Sequence, residues 1–134
     1  MIISEATYLD VLNMRKEVMS PDKDLDFVNI SDDNNGLNIG VFENEELVSV
    51  MSILLNGRSV QFRKLATKKN MQGKGYASAL MQWLTDYAND LKFDRLYCNA
   101  RSDVTEFYKK FGYEETDEKF EKNGYKYIVM QKLF

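Results

Sequence analysis

One stretch of the chain, residues 59–100, restricts the possible folds more than any other part of the sequence. It reads as a strand over 59–67, a glycine-containing loop, an amphipathic helix over 76–91 and a second strand over 95–100. Two strands joined by a helix in this way form a parallel pair with a right-handed connection. The apolar face of the predicted helix is made of Ala77, Leu80, Met81, Leu84, Ala88 and Leu91.

The remaining elements are mostly strands joined by short turns. Further strands are predicted over 1–3, 37–42, 47–55, 113–122 and 125–133, and further helices over 5–19 and 103–111. Residues 20–36 are polar and turn-rich, which favours a loop or a short helix. The order mixes antiparallel hairpins with one parallel crossover, so the predicted sheet is mixed and mostly antiparallel.

Local signals mark the ends of several of these elements. Asn56-Gly57 and Asn123-Gly124 are hairpin signals, because both residue types tolerate positive φ. Asp103 and Glu106 have the spacing of a capping box, and Gly112 is placed to end the helix that follows. Ser4 is placed to cap the helix predicted over 5–19.

The predicted fold class is α/β (α+β), with about six or seven strands flanked by about four helices. With 134 residues, of which 44% are apolar and 29% charged, residues 1–134 are expected to form a single domain with one core. No apolar run is long enough to span a membrane and no secretory signal opens the sequence, so a cytoplasmic protein is expected.

The absence of histidine most limits the available chemistry. A chain with 0 His and 1 Cys has no Ser-His-Asp or Cys-His catalysis and no usual zinc site, so no metal is expected. The cysteine, Cys98, lies in a predicted strand and is interpreted as a packed thiol rather than a nucleophile. The net charge of −3 argues against general nucleic-acid binding.

The strongest functional signal is the loop between the strand over 59–67 and the helix that follows. Gly73 and Gly75 let the backbone approach a ligand closely, and the first turn of a helix offers free N–H groups and a favourable dipole to an anion. Lys68, Lys69 and Lys74 add positive charge. We therefore expect this loop to bind a phosphate-bearing ligand.

Three glycine-loop motifs compete for this segment. A dinucleotide fingerprint needs a third Gly or Ala where Ser78 stands, and a Walker A loop needs Ser or Thr where Gly75 stands. The pattern Q/R-x-x-G-x-G/A fits, with Gln72, Gly75 and Ala77 at its defining positions.

That pattern resembles the pyrophosphate-binding signature of the GNAT superfamily of N-acetyltransferases. The stretch from Arg63 to Leu80 is similar to the family's central acetyl-CoA motif, and Phe107 to Tyr113 is similar to its F-Y-x-x-x-G-F/Y segment. The element order also agrees with the family fold from end to end. The sequence is therefore identified as a small single-domain member of this superfamily.

The resemblance implies specific roles for named residues. The strand end Leu65, Ala66 and Thr67 would hold the pantetheine arm of acetyl-CoA, together with Asn99. The pyrophosphate would be bound by the loop and first helical turn, which comprise Gln72, Gly73, Lys74, Gly75, Tyr76, Ala77 and Ser78. Tyr108 would be the catalytic acid that protonates the leaving thiolate.

The implied reaction is direct attack of a primary amine on the thioester within a ternary complex. It needs no protein nucleophile, so a chain without histidine can perform it. A backbone N–H of Leu65 or Thr67 would stabilise the oxyanion. The strand over 59–67 contains no acid, so a water relay is the first candidate for the base, with Asp32, Asp33 and Glu43 as weaker candidates.

Two other classes of function stay open from the sequence. One is an acyl-CoA-binding module without catalysis, and the other is a phosphate- or nucleotide-binding regulatory protein. The acceptor would be a small-molecule or protein amine, shaped by residues 20–36 and the final hairpin, and the acidic charge favours a cationic one. Exposed strands near residue 134 could pair between two copies in a homodimer.

Overall fold

The computed structural model describes residues 1–7 and 36–134. The elements of this part of the chain are β1 (Ile2–Glu5), β2 (Leu37–Glu43), β3 (Glu46–Asn56), β4 (Ser59–Thr67), a 3-10 helix (Lys69–Met71), α1 (Tyr76–Asp90), β5 (Arg95–Arg101), α2 (Thr105–Lys109), β6 (Glu114–Lys122) and β7 (Tyr125–Leu133). The strands form one sheet in the order β1-β2-β3-β4-β5-β7-β6. The predicted mixed α/β architecture is thus confirmed.

The first strand is longer than predicted. Glu5 belongs to β1 and pairs with Ile39 of β2, so a helix does not begin at residue 5. Ala6 and Thr7 are not helical, and residues 8–19 of the predicted helix and 20–35 of the predicted loop fall outside the described residues. Within the described ranges two α-helices are present rather than about four, and none of the helices there could cross a membrane.

The chain forms two compact units, of which the first comprises Met1–Leu54 and Lys64–Leu84. Its strands β1, β2 and β3 pair antiparallel, and the β2–β3 turn places Asn44 and Glu45 at positive φ. Successive residues from Val48 to Ile53 are all buried, as in a central strand covered on both faces. This strand supplies much of the apolar core of the first unit.

The second unit comprises Leu55–Arg63 and Thr85–Phe134. Here β4 begins as a parallel neighbour of β5, in the register Ser59↔Arg95 to Gln61↔Tyr97, which confirms the predicted parallel crossover. Strand β7 lies between β5 and β6 and is antiparallel to both. The apolar residues Ile128, Val129 and Met130 explain its interior place.

Strand β6 is the exposed edge of the second unit. Nearly all of its residues are exposed, and its sequence EETDEKFEK is dense in charge. Charged side chains on an edge strand oppose pairing with the edge of another chain. The predicted homodimer through strands near the end of the sequence therefore receives no support from this edge.

Of the two predicted hairpin turns, one is confirmed and one is displaced. Asn123 and Gly124 both adopt positive φ, as a type I′ turn requires. At the other site β3 continues through Asn56, and the turn consists of Gly57 and Arg58. Positive φ at Gly57 alone satisfies this turn, since a type II′ hairpin needs glycine at its first central position.

The predicted capping box before α2 is wrong. The helix begins at Thr105, and Val104 precedes it without a side-chain capping bond. The N–H of Val104 donates to the carbonyl of Arg101 over 3.0 Å, so Asp103 lies inside a turn rather than at the cap. The predicted stop is confirmed, because Gly112 follows the helix with φ +88.

The apolar face predicted for α1 is largely confirmed. Leu80, Met81, Leu84 and Ala88 are completely buried. The helix ends at Asp90, however, and Leu91 is 58% exposed. A residue just beyond the helix no longer follows its 3.6-residue period, so the apolar pattern overran the helix by one position.

Candidate active site

The loop that enters α1 has the geometry of an anion cradle. Gly73 and Gly75 adopt φ of +79 and +88. Apart from the glycine itself and its two chain neighbours, no heavy atom of the described residues lies within 4 Å of a Cβ built on either one. The N–H of Ala79 donates to the carbonyl of Gly75, so Gly75 caps α1. The N–H groups of residues 76–78 therefore have no acceptor inside the helix. Free N–H donors, the positive end of the helix dipole and open space therefore occur together at the start of α1.

Two hydrogen bonds fix the position of the backbone where β4 leads into this loop. Gln72 donates from Nε2 to the carbonyl of Thr67 over 3.0 Å, which ties the loop back to the end of β4. The N–H of Lys68 donates to the carbonyl of Val48 over 2.9 Å. Gln72 thus has a structural partner as well as its predicted place in the binding motif.

Ser49 is a supporting residue that the sequence reading missed. Its buried hydroxyl donates to the carbonyl of Ala66 over 3.0 Å and lies 2.8 Å from the hydroxyl of Thr67. A serine inside the apolar run of β3 was the available signal, because a buried hydroxyl in such a run needs a partner. Ser49 positions the strand end for which the family resemblance implies a pantetheine contact.

We expect Ser49→Ala to lower the free energy of unfolding by about 1–3 kcal/mol, since it leaves the buried Ala66 carbonyl without its donor. Urea denaturation with an unchanged m-value would measure this loss. The matched control is Ser102→Ala, at an exposed serine, which should change stability by less than about 0.5 kcal/mol. Equal stability of Ser49→Ala and wild type would contradict the assigned bond.

Lys64 is a second feature absent from the sequence reading. It adopts φ +52 in the middle of β4, although non-glycine residues rarely enter this region. Arg63, Lys64 and Leu65 are all half-buried, so burial does not alternate along this part of the strand. Such an irregularity redirects a strand and is frequent beside functional sites. It lies directly before Leu65, the first residue of the predicted pantetheine-binding segment.

Glu43 is less suited to act as a base than its place in the sequence suggested. One carboxylate oxygen lies 2.7 Å from the amino group of Met1, and the other accepts a hydrogen bond from the hydroxyl of Tyr76 over 2.9 Å. These two bonds, the Met1 contact first, lower the pKa of Glu43. The same bond to Glu43 raises the pKa of Tyr76. The other two candidate bases, Asp32 and Asp33, lie outside the described residues.

Tyr108 belongs to an aromatic cluster in the second unit. Its ring centroid lies 5.7 Å from that of Phe62, 5.2 Å from that of Phe107 and 6.2 Å from that of Tyr113. Burial, with a smaller contribution from Cys98, raises the pKa of Tyr108 above its ordinary value. The hydroxyl therefore stays protonated at neutral pH and can act as an acid rather than a base.

Cys98 of β5 is buried, as predicted for a packed thiol. Cys98 is 2% exposed, and burial raises the pKa of its thiol to about 12. A thiol in this state is a poor nucleophile, because the thiolate is the reactive form. An acyl-cysteine intermediate on Cys98 is therefore disfavoured.

We expect native protein at pH 8 to react with a disulfide reagent at least about 100-fold more slowly than protein in denaturant, because few molecules carry the buried thiolate. The rise of the released chromophore measures both rates on one sample. Full modification of the native chain within the dead time would show that Cys98 is accessible and would contradict the packed-thiol assignment.

The structure divides the predicted site residues between the two units. Ten of them lie together in the first unit: Leu65, Ala66, Thr67, Gln72, Gly73, Lys74, Gly75, Tyr76, Ala77 and Ser78. The other two, Asn99 and Tyr108, lie in the second unit. Asn99 is exposed on β5, where it pairs with Val129 of β7.

Comparison with protein families identifies the class of protein to which this fold and loop belong. A family model described as an acetyltransferase (GNAT) domain matches residues 5–134. The chain therefore belongs to the GNAT family of acetyltransferases, and the predicted enzyme class is confirmed. An uncharacterised N-acetyltransferase of Bacillus subtilis, YitI, is 24% identical over an aligned length of 133, and the match covers 92% of this chain and 89% of that protein.

Solved structures agree with this assignment at the level of the fold. A Lactobacillus plantarum protein assigned as an N-acetyltransferase matches with a TM-score of 0.86 and 16% identity, over 98% of this chain and 95% of that one. An aminoglycoside 6′-N-acetyltransferase complexed with coenzyme A matches with a TM-score of 0.80 and 13% identity, over 99% of this chain and 97% of that one. The Escherichia coli ribosomal-protein-S18-alanine N-acetyltransferase matches with a TM-score of 0.76 and 16% identity, over 97% of this chain and 91% of that one.

Proposed function

We propose that this chain transfers an acetyl group from acetyl-CoA to a primary amine by direct attack in a ternary complex. The observation that carries the proposal is the cradle at the start of α1, with two left-handed glycines facing open space in a chain of the GNAT family. The coenzyme A bound to the aminoglycoside acetyltransferase of similar fold supports the same donor.

The residues of the first unit fit the charged part of acetyl-CoA. The N–H groups of residues 72–78 would bind the pyrophosphate, and exposed Lys74 would place a positive charge beside it. The backbone of Leu65, Ala66 and Thr67 would hold the pantetheine arm by strand-like hydrogen bonds, assisted by Asn99. Ser49 would support this contact by keeping the strand end in place.

In the reaction the amine nitrogen forms a bond to the thioester carbonyl carbon, and the carbon–sulfur bond breaks. A backbone N–H of Leu65 or Thr67 would donate to the oxyanion. Tyr108 would give its proton to the departing thiolate. The amine loses one proton, and because both oxygens of Glu43 are engaged, a water relay is the favoured acceptor of that proton.

The acceptor is an amine whose identity the family does not determine. The names of the similar structures include a small-molecule and a protein acetyltransferase, so one fold serves both classes. A net charge of −3 and the acidic residues of β6 favour a cationic amine. A single domain over 1–134, a cytoplasmic location and a homodimer stay predictions from the sequence.

Initial-rate kinetics with a panel of amines tests the proposal. The panel should contain a polyamine, an amino sugar, an amino acid and a peptide with a free amino terminus, with release of free thiol as the readout. A ternary-complex mechanism predicts intersecting lines when both substrates are varied, and mass spectrometry should find the acetyl group on the amine. Parallel lines, or acetylated Cys98 in protein given acetyl-CoA alone, would contradict direct transfer.

A further inference from the structure

The hydroxyl of Tyr113 is buried without a partner in the described part of the chain. Tyr113 is 2% exposed, and its Oη makes no hydrogen bond to any described residue. Buried polar groups in folded proteins are nearly always paired, so an unpaired one calls for a physical explanation. A phenylalanine would fill the same space without this cost, which raises the question of what the hydroxyl does.

The backbone and the rings hold Tyr113 against Tyr108. The N–H of Tyr113 donates to the carbonyl of Tyr108 over 3.3 Å, and the two ring centroids are 6.2 Å apart. Both rings pack on Phe62, each with a centroid distance of 5.7 Å. Tyr108 and Cys98 both act electrostatically on the Tyr113 hydroxyl, and Cys98 acts on that of Tyr108. The rings of Tyr108 and Tyr113 thus share one apolar environment with Phe62.

This environment creates a difficulty for Tyr108 as an acid. Once its proton moves to the thiolate, the Tyr108 oxygen carries negative charge among aromatic rings, where a charged group is poorly solvated. The rate of proton transfer falls as this phenolate becomes less stable. A neighbouring hydrogen-bond donor would remove much of this penalty, since bonds to a charged oxygen are the stronger ones.

We propose that the Tyr113 hydroxyl donates a hydrogen bond, directly or through one water molecule, to the Tyr108 oxygen as that oxygen gives up its proton. The inference rests on the proposed function, in which Tyr108 protonates the thiolate. Tyr113 is then a positioning residue that stabilises the conjugate base of the acid. Its own proton stays on Tyr113, and the proton lost by the amine returns to Tyr108 through solvent, so the reaction balances.

A double-mutant cycle on Tyr108 and Tyr113 tests this inference. We expect Tyr113→Phe to lower kcat by about tenfold with the KM for acetyl-CoA unchanged. In a Tyr108→Phe background the same substitution should have no further effect, because the oxygen it serves is absent. Equal losses in both backgrounds, or no loss in either, would overturn the proposal.

Two further readouts separate this role from a structural one. With the acetyl thioester of an electron-poor aryl thiol, whose thiolate leaves without a proton, the defect of Tyr113→Phe should disappear. Urea denaturation should find Tyr113→Phe at least as stable as wild type, since its hydroxyl has no partner among the described residues. A defect that persists with the aryl thioester would contradict the inference alone, whereas a wild-type chain that acetylates no amine would contradict the proposed function with it.

Discussion

Gly75→Glu is expected to abolish saturable acetyl-CoA binding in a calorimetric titration, with a loss of at least about 100-fold in affinity. Two physical effects act together. A side chain at this position would occupy the open space in front of the cradle, where the glycine has φ +88. Its carboxylate would also repel the pyrophosphate at the point where the dipole of α1 favours an anion.

The matched control is Gly57→Glu, in the β3–β4 turn. Gly57 also has positive φ and open space before it, so the control carries the same charge and similar backbone strain outside the proposed site. It should bind acetyl-CoA as wild type does. Failure of wild type to bind acetyl-CoA would contradict the proposed function, as would equal binding by Gly75→Glu.

Titration with ADP and with free CoA separates the alternatives that the sequence left open. CoA should bind and ADP should bind weakly, because ADP lacks the pantetheine arm that Leu65, Ala66 and Thr67 are proposed to hold. ADP that binds as tightly as CoA would indicate a nucleotide-binding protein instead. Binding of acetyl-CoA without turnover across the amine panel would indicate a module without catalysis.

Tyr108→Phe is expected to lower kcat by about 100-fold or more, with little change in the KM for acetyl-CoA, since a positioned general acid contributes about 10²–10⁴-fold. The substitution removes one hydroxyl and keeps the ring that packs against Phe62 and Tyr113. Steady-state kinetics at saturating amine measures the effect. Thermal unfolding of the same variant should be close to that of wild type.

The control for this experiment is Tyr97→Phe, which removes a phenol hydroxyl outside the proposed site. That hydroxyl accepts a hydrogen bond from Asn56 Nδ2 over 3.3 Å at an exposed position. It should leave kcat within about twofold of wild type. Because burial raises the pKa of Tyr108, loss of its proton should not limit the rate at mildly alkaline pH. Full activity in Tyr108→Phe would exclude Tyr108 as the acid.

Most of the fold could be predicted because its signals are local. The hairpin at Asn123-Gly124, the apolar face of α1 and the stop at Gly112 depend on residues only a few positions apart. The signals that gave wrong predictions were local too, but in each case adjacent residues of the same chain adopted a different structure. Asp103 lies in the turn from Arg101 to Val104 and therefore does not cap the helix. Strand β3 continues through Asn56, so the turn begins one residue later than predicted.

For the site, the sequence alone determined the glycine loop, its charge and the absence of histidine, because these are properties of consecutive residues or of composition. Only the tertiary structure showed that Ser49 holds the carbonyl of Ala66, that Glu43 is engaged at both oxygens, and that the Tyr113 hydroxyl is buried beside Tyr108. Ser49 and Ala66 are distant in sequence, as are Glu43 and its two partners, and Tyr113 packs on Phe62 of another strand. These relations depend on burial and on the direction of side chains, which the order of residues does not specify until the strands pair and the core closes.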